Sequence, residues 1–418
     1  MQLNEWLSIN KMDGEGNAEL TLTASSNEEF EARLAMLKIE GIYTEKYVSV
    51  EQKPFSIDNK YFWVEFESAG AQLRGLTNSV VNFSYSFDGE TWETAPSTLS
   101  MGENKKVYLQ NSTKTLRTDS VTTSLKFSTY AKIGGDMSSI VDMAEVCCGS
   151  VFSYNTYLTD ASNLVLPWET LERSCFANMF VGCTKLQYPP IIKATKLRAF
   201  SCLCMFQGCT SLLRTPILLT PSNNFIPRGA YSGMFKNCTS LIEACDLNAL
   251  DVNDEGYYEM FYECTSLETA PYINAESLSY STENSGQHMQ SMFQNCKKLT
   301  NVQSVLKPNI LEKCYRWMYR GCSSLKTAPA LPQNTLRTEC YYGMFQGCTS
   351  LIYVKMLGSG NYEETYVNGA PKETPLNWFL YGVNTQGTFV KHPNSTLTVD
   401  APTGGGIPPN WTVETATE

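Results

Sequence analysis

Histidine is nearly absent: there are 2 in 418 residues. That leaves little material for His-rich metal sites or for imidazole acid–base chemistry. Excess positive charge is missing as well. The 32 Lys+Arg are outnumbered by 42 Asp+Glu, the net charge is −10, and no Lys/Arg cluster offers the phosphate-neutralising face that nucleic-acid binding requires. No run of about 18 apolar residues occurs, so no helix is expected to span a bilayer. The segment Met1 to Glu19 has acids and glycines where a signal peptide would carry basic and then apolar residues, and it is not expected to be one. No G-x-S-x-G, H-E-x-x-H, Walker loop or dinucleotide fingerprint is present, so neither an enzyme nor a cofactor is expected. Fifteen cysteines, an odd number, exclude a fully disulfide-bonded framework.

What is abundant is repetition. A Met-aromatic pair recurs at Met179-Phe180, Met205-Phe206, Met234-Phe235, Met260-Phe261, Met292-Phe293, Met318-Tyr319 and Met344-Phe345, with spacings of 26, 29, 26, 32, 26 and 26 residues. Four residues after each Met stands Cys (183, 209, 238, 264, 296, 322, 348), and seven after it Leu (186, 212, 241, 267, 299, 325, 351). Thirteen after it an aliphatic residue follows: Ile192, Leu218, Leu247, Ile273, Val305, Leu331 or Leu357. A degenerate eighth copy precedes them, with Cys147, Val151-Phe152 and Leu158. Units this short cannot bury their own apolar residues, so stacking into a solenoid is expected. Within a unit, the segment around Tyr341 to Phe345 has the spacing of one or two helical turns. Leu325 to Leu331 reads as extended, because Pro329 disfavours helix.

The pattern M-F-x-x-C-T-S-L-x-x-A-P resembles the BspA-type leucine-rich repeats of Bacteroidales surface proteins and of phages of that group, over about residues 147 to 358. The strings Cys-Thr-Ser-Leu at 209, 238, 264 and 348 carry the likeness. It implies an α+β fold, a leucine-rich-repeat solenoid of about eight units with a short strand and a short helix each, preceded by two small all-β sandwich domains. Insertions near Pro221 to Gly229 and Glu276 to Gln287 are expected as loops leaving the solenoid, where binding specificity is favoured.

Residues 1–53 alternate apolar and polar positions. Trp6-Leu7-Ser8, the Gly14-x-Gly16 turn, Asn27, Arg33 and Val50-x-Gln52 resemble the Bacteroidetes-associated carbohydrate-binding often N-terminal (BACON) domain, an immunoglobulin-like sandwich. A spacer or docking role fits the same residues. Residues 54–140 read as a second sandwich or jelly-roll-like domain with turns at Asp88-Gly89 and Met101-Gly102. Its Tyr85-Ser86-Phe87-Asp88-Gly89-Glu90-Thr91-Trp92 segment is similar to the hairpin that precedes BspA-type repeats. The solenoid is then assigned to 141–358 and a C-terminal cap to 359–418.

The cysteines read as small buried hydrophobes one solenoid turn apart, since each thiol would have two equivalent neighbours for a disulfide. Neither Cys202-x-Cys204 nor Cys147-Cys148 matches a zinc pattern, so no metal is expected. His288 falls where other units carry Cys147, Cys175, Cys314 and Cys340, the place of a core residue. Acids such as Glu243, Asp246, Asp251 and Asp254 are available for glycoside hydrolysis, yet nothing marks a pair among them. Positions nine after each Met vary freely: Tyr188, Arg214, Glu243, Thr269, Asn301, Thr327 and Tyr353. On the concave side they would form a ligand-reading strip, with Tyr188, Arg214, Glu243, Asn301 and Tyr353 as its candidate ligand-binding residues; ordinary surface variation would look the same. Tyr257, Tyr258, Tyr315, Tyr341 and Tyr342 are expected to pack.

The resemblance implies a phage tail or fibre protein in the virion, assembled in the host cytoplasm, that binds a host-surface glycan or protein. Its N-terminal domains would contact other virion proteins, and an oligomer is compatible with that role. A bacterial surface adhesin with its export signal removed is the alternative, and a capsular-polysaccharide depolymerase a third reading.

Overall fold

The computed structural model describes residues 57–76, 83–111, 125–141, 149–279, 286–302, 311–358, 375–395, 397–399 and 406–416, and the backbone of strands at 7–9, 22–24, 33–40, 45–52, 361–362, 366–367 and 370–371. Trp6, Gly14, Gly16, Asn27, Cys147, Cys148 and Val305 lie outside the described residues. The chain divides into two compact units, Met1–Lys60 and Tyr61–Glu418. In the first, β1 (Leu7–Ile9) pairs antiparallel with β2 (Leu22–Ala24), β3 (Arg33–Glu40) pairs antiparallel with β4 (Glu45–Gln52), and α1 (Ile57–Lys60) follows. Those two pairs do not by themselves make the expected sandwich.

The second unit begins with β5 (Phe62–Phe66), β6 (Gln72–Arg74), β7 (Ser84–Ser86), β8 (Glu93–Thr94), β9 (Thr98–Ser100), β10 (Lys106–Gln110), β11 (Lys126–Phe127) and β12 (Ala131–Asp136). Its coils contribute β13 (Leu158–Leu166), β14 (Ile191–Ile192), β15 (Phe225–Ile226), β16 (Asp251–Val252), β17 (Ser277–Leu278), β18 (Thr335–Leu336) and β19 (Tyr353–Met356). After them come β20 (Asn361–Tyr362), β21 (Tyr366–Val367), β22 (Ala370–Pro371), β23 (Thr388–Lys391) and β24 (Thr412–Thr415). A separate sandwich over 54–140 is not what these strands build. A seven-stranded sheet of order β14-β13-β12-β5-β10-β7-β8 runs from that segment into the solenoid, through the parallel pairing of β12 with β13 and of β13 with β14. Along β5 the buried Phe62, Val64 and Phe66 share one face, which the sheet turns toward the solenoid core, while Glu65 on the other face is exposed. Phe62 accordingly stacks on Phe152, the first aromatic of the repeat, at 5.8 Å.

From Phe152 the rings run in one parallel stack through Phe180, Phe206, Phe235, Phe261, Phe293, Tyr319 and Phe345, with centroids 5.2 to 5.7 Å apart. Phe379 closes it edge-on at 5.4 Å. The Met, Cys and Leu columns beside it are fully buried. Each thiol of the ladder donates to the carbonyl of the aromatic one coil earlier: Cys183 to Phe152, Cys209 to Phe180, Cys238 to Phe206, Cys264 to Phe235, Cys296 to Phe261, Cys322 to Phe293 and Cys348 to Tyr319, at 3.0 to 3.2 Å. The next residue repeats the device, as in Thr210 to Thr184 at 3.2 Å and Thr265 to Thr239 at 3.3 Å. The Cys-Thr and Cys-Ser dipeptides therefore knit neighbouring coils, and the thirteen described cysteines are free thiols.

The expected helix in each unit does not form. Among the described residues the only helices are α1 and a 3-10 turn at Met137–Ser139 capped by the Asp136 carboxylate, which accepts from the Ser138 N–H. Around the Met-Phe pairs the backbone N–H groups alternate in their use. Met179, Val181 and Cys183 donate to Phe176, Asn178 and Phe180 three residues back, while Phe180 and Gly182 donate to Met205 and Gln207 of the next coil. Every fourth residue has positive φ: Ser174, Asn178 and Gly182 in one coil, Phe200, Cys204 and Gly208 in the next. An α-helix would keep φ negative and send every N–H to i−4. Sharing alternate N–H groups with the neighbouring coil extends hydrogen bonding along the whole solenoid axis, so the repeats are β-solenoid coils.

The insertion at Pro221 to Gly229 is not a loop leaving the solenoid. Its Phe225 and Ile226 form β15, which stacks in parallel on β16 and then β17. Pairing satisfies backbone groups that a projecting loop would give to water. The other insertion is described only as far as Ser279 and again from Gly286. In the last coil Met356, rather than Leu357, sits opposite Leu331.

Candidate functional site

The positions nine after each Met lie on rungs of a parallel column. Isolated bridges join Asp160 to Tyr188, Arg214 to Glu243, Thr269 to Asn301 and Thr327 to Tyr353, and β19 carries Tyr353 on to Thr388 of β23 and so to Thr412 of β24. Arg214, Glu243, Thr269, Asn301 and Thr327 are exposed, whereas Tyr188 and Tyr353 are half-buried. Two of the five candidate residues, Arg214 and Glu243, are direct rung partners, and the Arg214 guanidinium also lies 5.7 Å from the Tyr188 ring centroid. Asn301 donates to the Thr269 hydroxyl at 3.3 Å. Tyr353 stands farther along the column, between Thr327 and Thr388. The backbone that holds these rungs is bonded coil to coil, for example Thr215 N–H to the Glu243 carbonyl at 3.1 Å and Ala328 N–H to the Tyr353 carbonyl at 2.9 Å.

At the Tyr188–Arg214 end the surface sinks into an open hollow of roughly 470 Å³. Pro189, Pro190, Ile191, Pro216, Ile217 and Leu219 make its wall. Ile217 is 76% exposed, Ile191 49% and Leu219 42%. Ile191 and Ile217 occupy the same place in successive coils, twelve after the Met, where the following coils carry Asp246 and Tyr272. That column was readable in the repeat alignment as an unusual run of aliphatics next to a buried position; what hid it is that Ile192 and Leu218, one residue on, are the buried ones.

Of the remaining candidates, His288 and Asp254 are brought together in the core. His288 is fully buried, with Nε2 2.6 Å from the Ser279 carbonyl and 3.8 Å from Asp254 Oδ1. Asp246 accepts the Tyr272 N–H at 2.9 Å, and Asp251 lies on β16. Among the described residues no group of His, Cys, Asp and Glu could hold a metal ion. Tyr257, Tyr315 and Tyr341 are buried; Tyr258 and Tyr342 are half-buried. Burial pushes the Tyr258 hydroxyl up to about 12, with the Glu259 charge adding to it. A cluster that sequence spacing did not single out is Arg316, which lies 4.0 Å over Trp317 and 4.8 Å from Tyr342 and is ion-paired to Glu339. With its charge already balanced, this cluster staples coils together.

Among the described residues no helix is long and apolar enough to cross a membrane. No protein-family model matches the chain, and neither a curated protein nor a solved structure matches it significantly.

Proposed function

We propose that the chain is a non-enzymatic binding protein of the BspA type, a tail or fibre component of a phage infecting Bacteroidales that attaches to a glycan or protein on the host surface. The N-terminal segment, with its BACON-like residues, would join it to other virion proteins. The observation that carries the reading is the contrast within each coil. Met, aromatic, Cys and Leu recur unchanged in the buried columns, while the rung position above them changes from Tyr to Arg, Glu, Thr, Asn, Thr and Tyr. A backbone held rigidly by stacked coils presents that set of hydrogen-bonding side chains at fixed spacing, as recognition without chemistry requires. The set contains donors and acceptors and lacks an activated nucleophile with its base.

The test is attachment of the fluorescently labelled full chain to a panel of Bacteroidales cells, before and after enzymatic removal of capsule or of surface protein. Saturable attachment that falls about tenfold in a Glu243→Lys, Asn301→Lys double variant, a loss of about 1.4 kcal/mol, is the expected result. Attachment indifferent to both substitutions, or absent from every strain, would remove the reading, and sugar released from purified capsule would replace it with depolymerisation.

A further inference from the structure

The hollow beside Tyr188 does not have the chemistry of a sugar site. A sugar needs an open aromatic face bordered by several donors and acceptors. Here the Arg214 guanidinium lies against the ring, and the wall is proline, isoleucine and leucine. Besides the Tyr188 hydroxyl, the polar side chains at its edge are Ser162, Lys193 and Arg214, and both charges among them are positive. Acids approach only from outside the lining, Asp160 and Glu243 being the rung partners of Tyr188 and Arg214. Among the described residues neither Lys193 nor Arg214 is ion-paired. Two cations thus border the exposed aliphatic wall inside the lining, and the two acids nearest them lie outside it. The volume falls within the range of small-ligand pockets.

We propose that this hollow binds an amphiphilic carboxylate, a medium-chain fatty acid, with its alkyl body against Ile191, Ile217 and Leu219 and its carboxylate between Lys193 and Arg214. Burial of the alkyl chain supplies the affinity, and the charge-assisted bonds at the rim select the anion. The inference rests on reading the rung column as the ligand-facing surface and names a ligand class for its Tyr188 end.

Isothermal titration of the full chain with decanoate, below its micelle concentration, tests it against decanol, which has the body without the charge, and acetate, which has the charge without the body. Saturable 1:1 binding of decanoate, about tenfold weaker binding of decanol and no binding of acetate are expected. The Lys193→Gln, Arg214→Gln double variant should bring decanoate down to the level of decanol, and Ile217→Asp should abolish both while circular dichroism stays unchanged. Equal affinity for decanoate and decanol, or decanoate binding untouched by Ile217→Asp, overturns the proposal, as does absence of decanoate binding. Host attachment measured on the same Ile217→Asp protein separates the two readings: loss of decanoate with attachment retained keeps this site and assigns attachment to the other rungs. Attachment without any decanoate binding leaves the adhesion reading standing and this one overturned.

Discussion

Cysteine at the fourth position after Met does two jobs at once. It fills a fully buried slot between coils, and its S–H reaches the carbonyl of the aromatic one coil back, a group that also accepts an in-coil N–H, as Phe180 does from Cys183 while receiving the Cys209 thiol. The turn that leads to it demands positive φ three residues after Met, which Gly182, Gly208, Gly321 and Gly347 meet freely and Asn237 and Asn295 tolerate, whereas Glu263 adopts it against its side-chain preference. Gly208 isolates that effect, because a Cβ there would meet only Gly182 backbone atoms at 3.7 Å. Gly208→Ala is expected to cost about 1–2 kcal/mol in chemical denaturation. Glu263→Gly at the equivalent place, φ 58°, should shift the midpoint the other way by a few tenths of a kcal/mol. Two shifts of the same sign would contradict the conformational account.

At the scale of the coil, stability lies between neighbours rather than within one unit. Alternate N–H groups, one thiol and one ring contact pass from each coil to the next, so each coil is a half-finished interface until it is covered. The sheet of β5, β12 and β13 covers the first coil through Phe62, and Phe379 with the buried Trp411 covers the last. Removing one whole period, residues 319–344, which joins Met318 to Phe345 and keeps every column in phase, should leave a folded protein with an unchanged far-ultraviolet spectrum. Removing only residues 319–331 puts Met and Cys out of phase with their columns and should abolish cooperative unfolding. If both deletions behave alike, the columns are not what holds the coils.

Across the whole molecule the buried thiols make stability sensitive to base. Burial pushes Cys183, Cys202, Cys314 and Cys348 from an ordinary value of 9.0 up to about 12, and Cys209, Cys264, Cys322 and Cys340 are also raised, chiefly by burial. The unfolded chain releases these protons above pH 9, while the folded chain holds them to higher pH, about 12 for Cys183, Cys202, Cys314 and Cys348. Their contribution is therefore complete below pH 9 and is lost as pH rises through that window, by up to about 1.4 kcal/mol per pH unit for each thiol. Under reducing conditions Tm should be flat from pH 7 to 8.5 and fall steeply from pH 9 to 11. A flat profile to pH 11 would show that the thiols are hydrated.

The amino-acid sequence by itself determined the period, the columns and their burial, because side chains that must stack on copies of themselves recur at fixed spacing. It also placed Tyr188, Arg214, Glu243, Asn301 and Tyr353 on one row, since they share a phase. It did not reveal that the coils lack helix. Buried positions at Phe176, Met179, Phe180, Cys183 and Leu186 have the spacing of a helical face, and linked i→i−3 turns share nearly that period. Which N–H bonds within its coil and which bonds the next coil is decided only when a neighbour exists. The same holds for Phe225–Ile226, which reads as an insertion alone and becomes a strand against Asp251–Val252. The hollow, too, belongs to the tertiary structure: Tyr188 and Ile191 come from one coil and Arg214, Ile217 and Leu219 from the next, and stacking brings them to one surface.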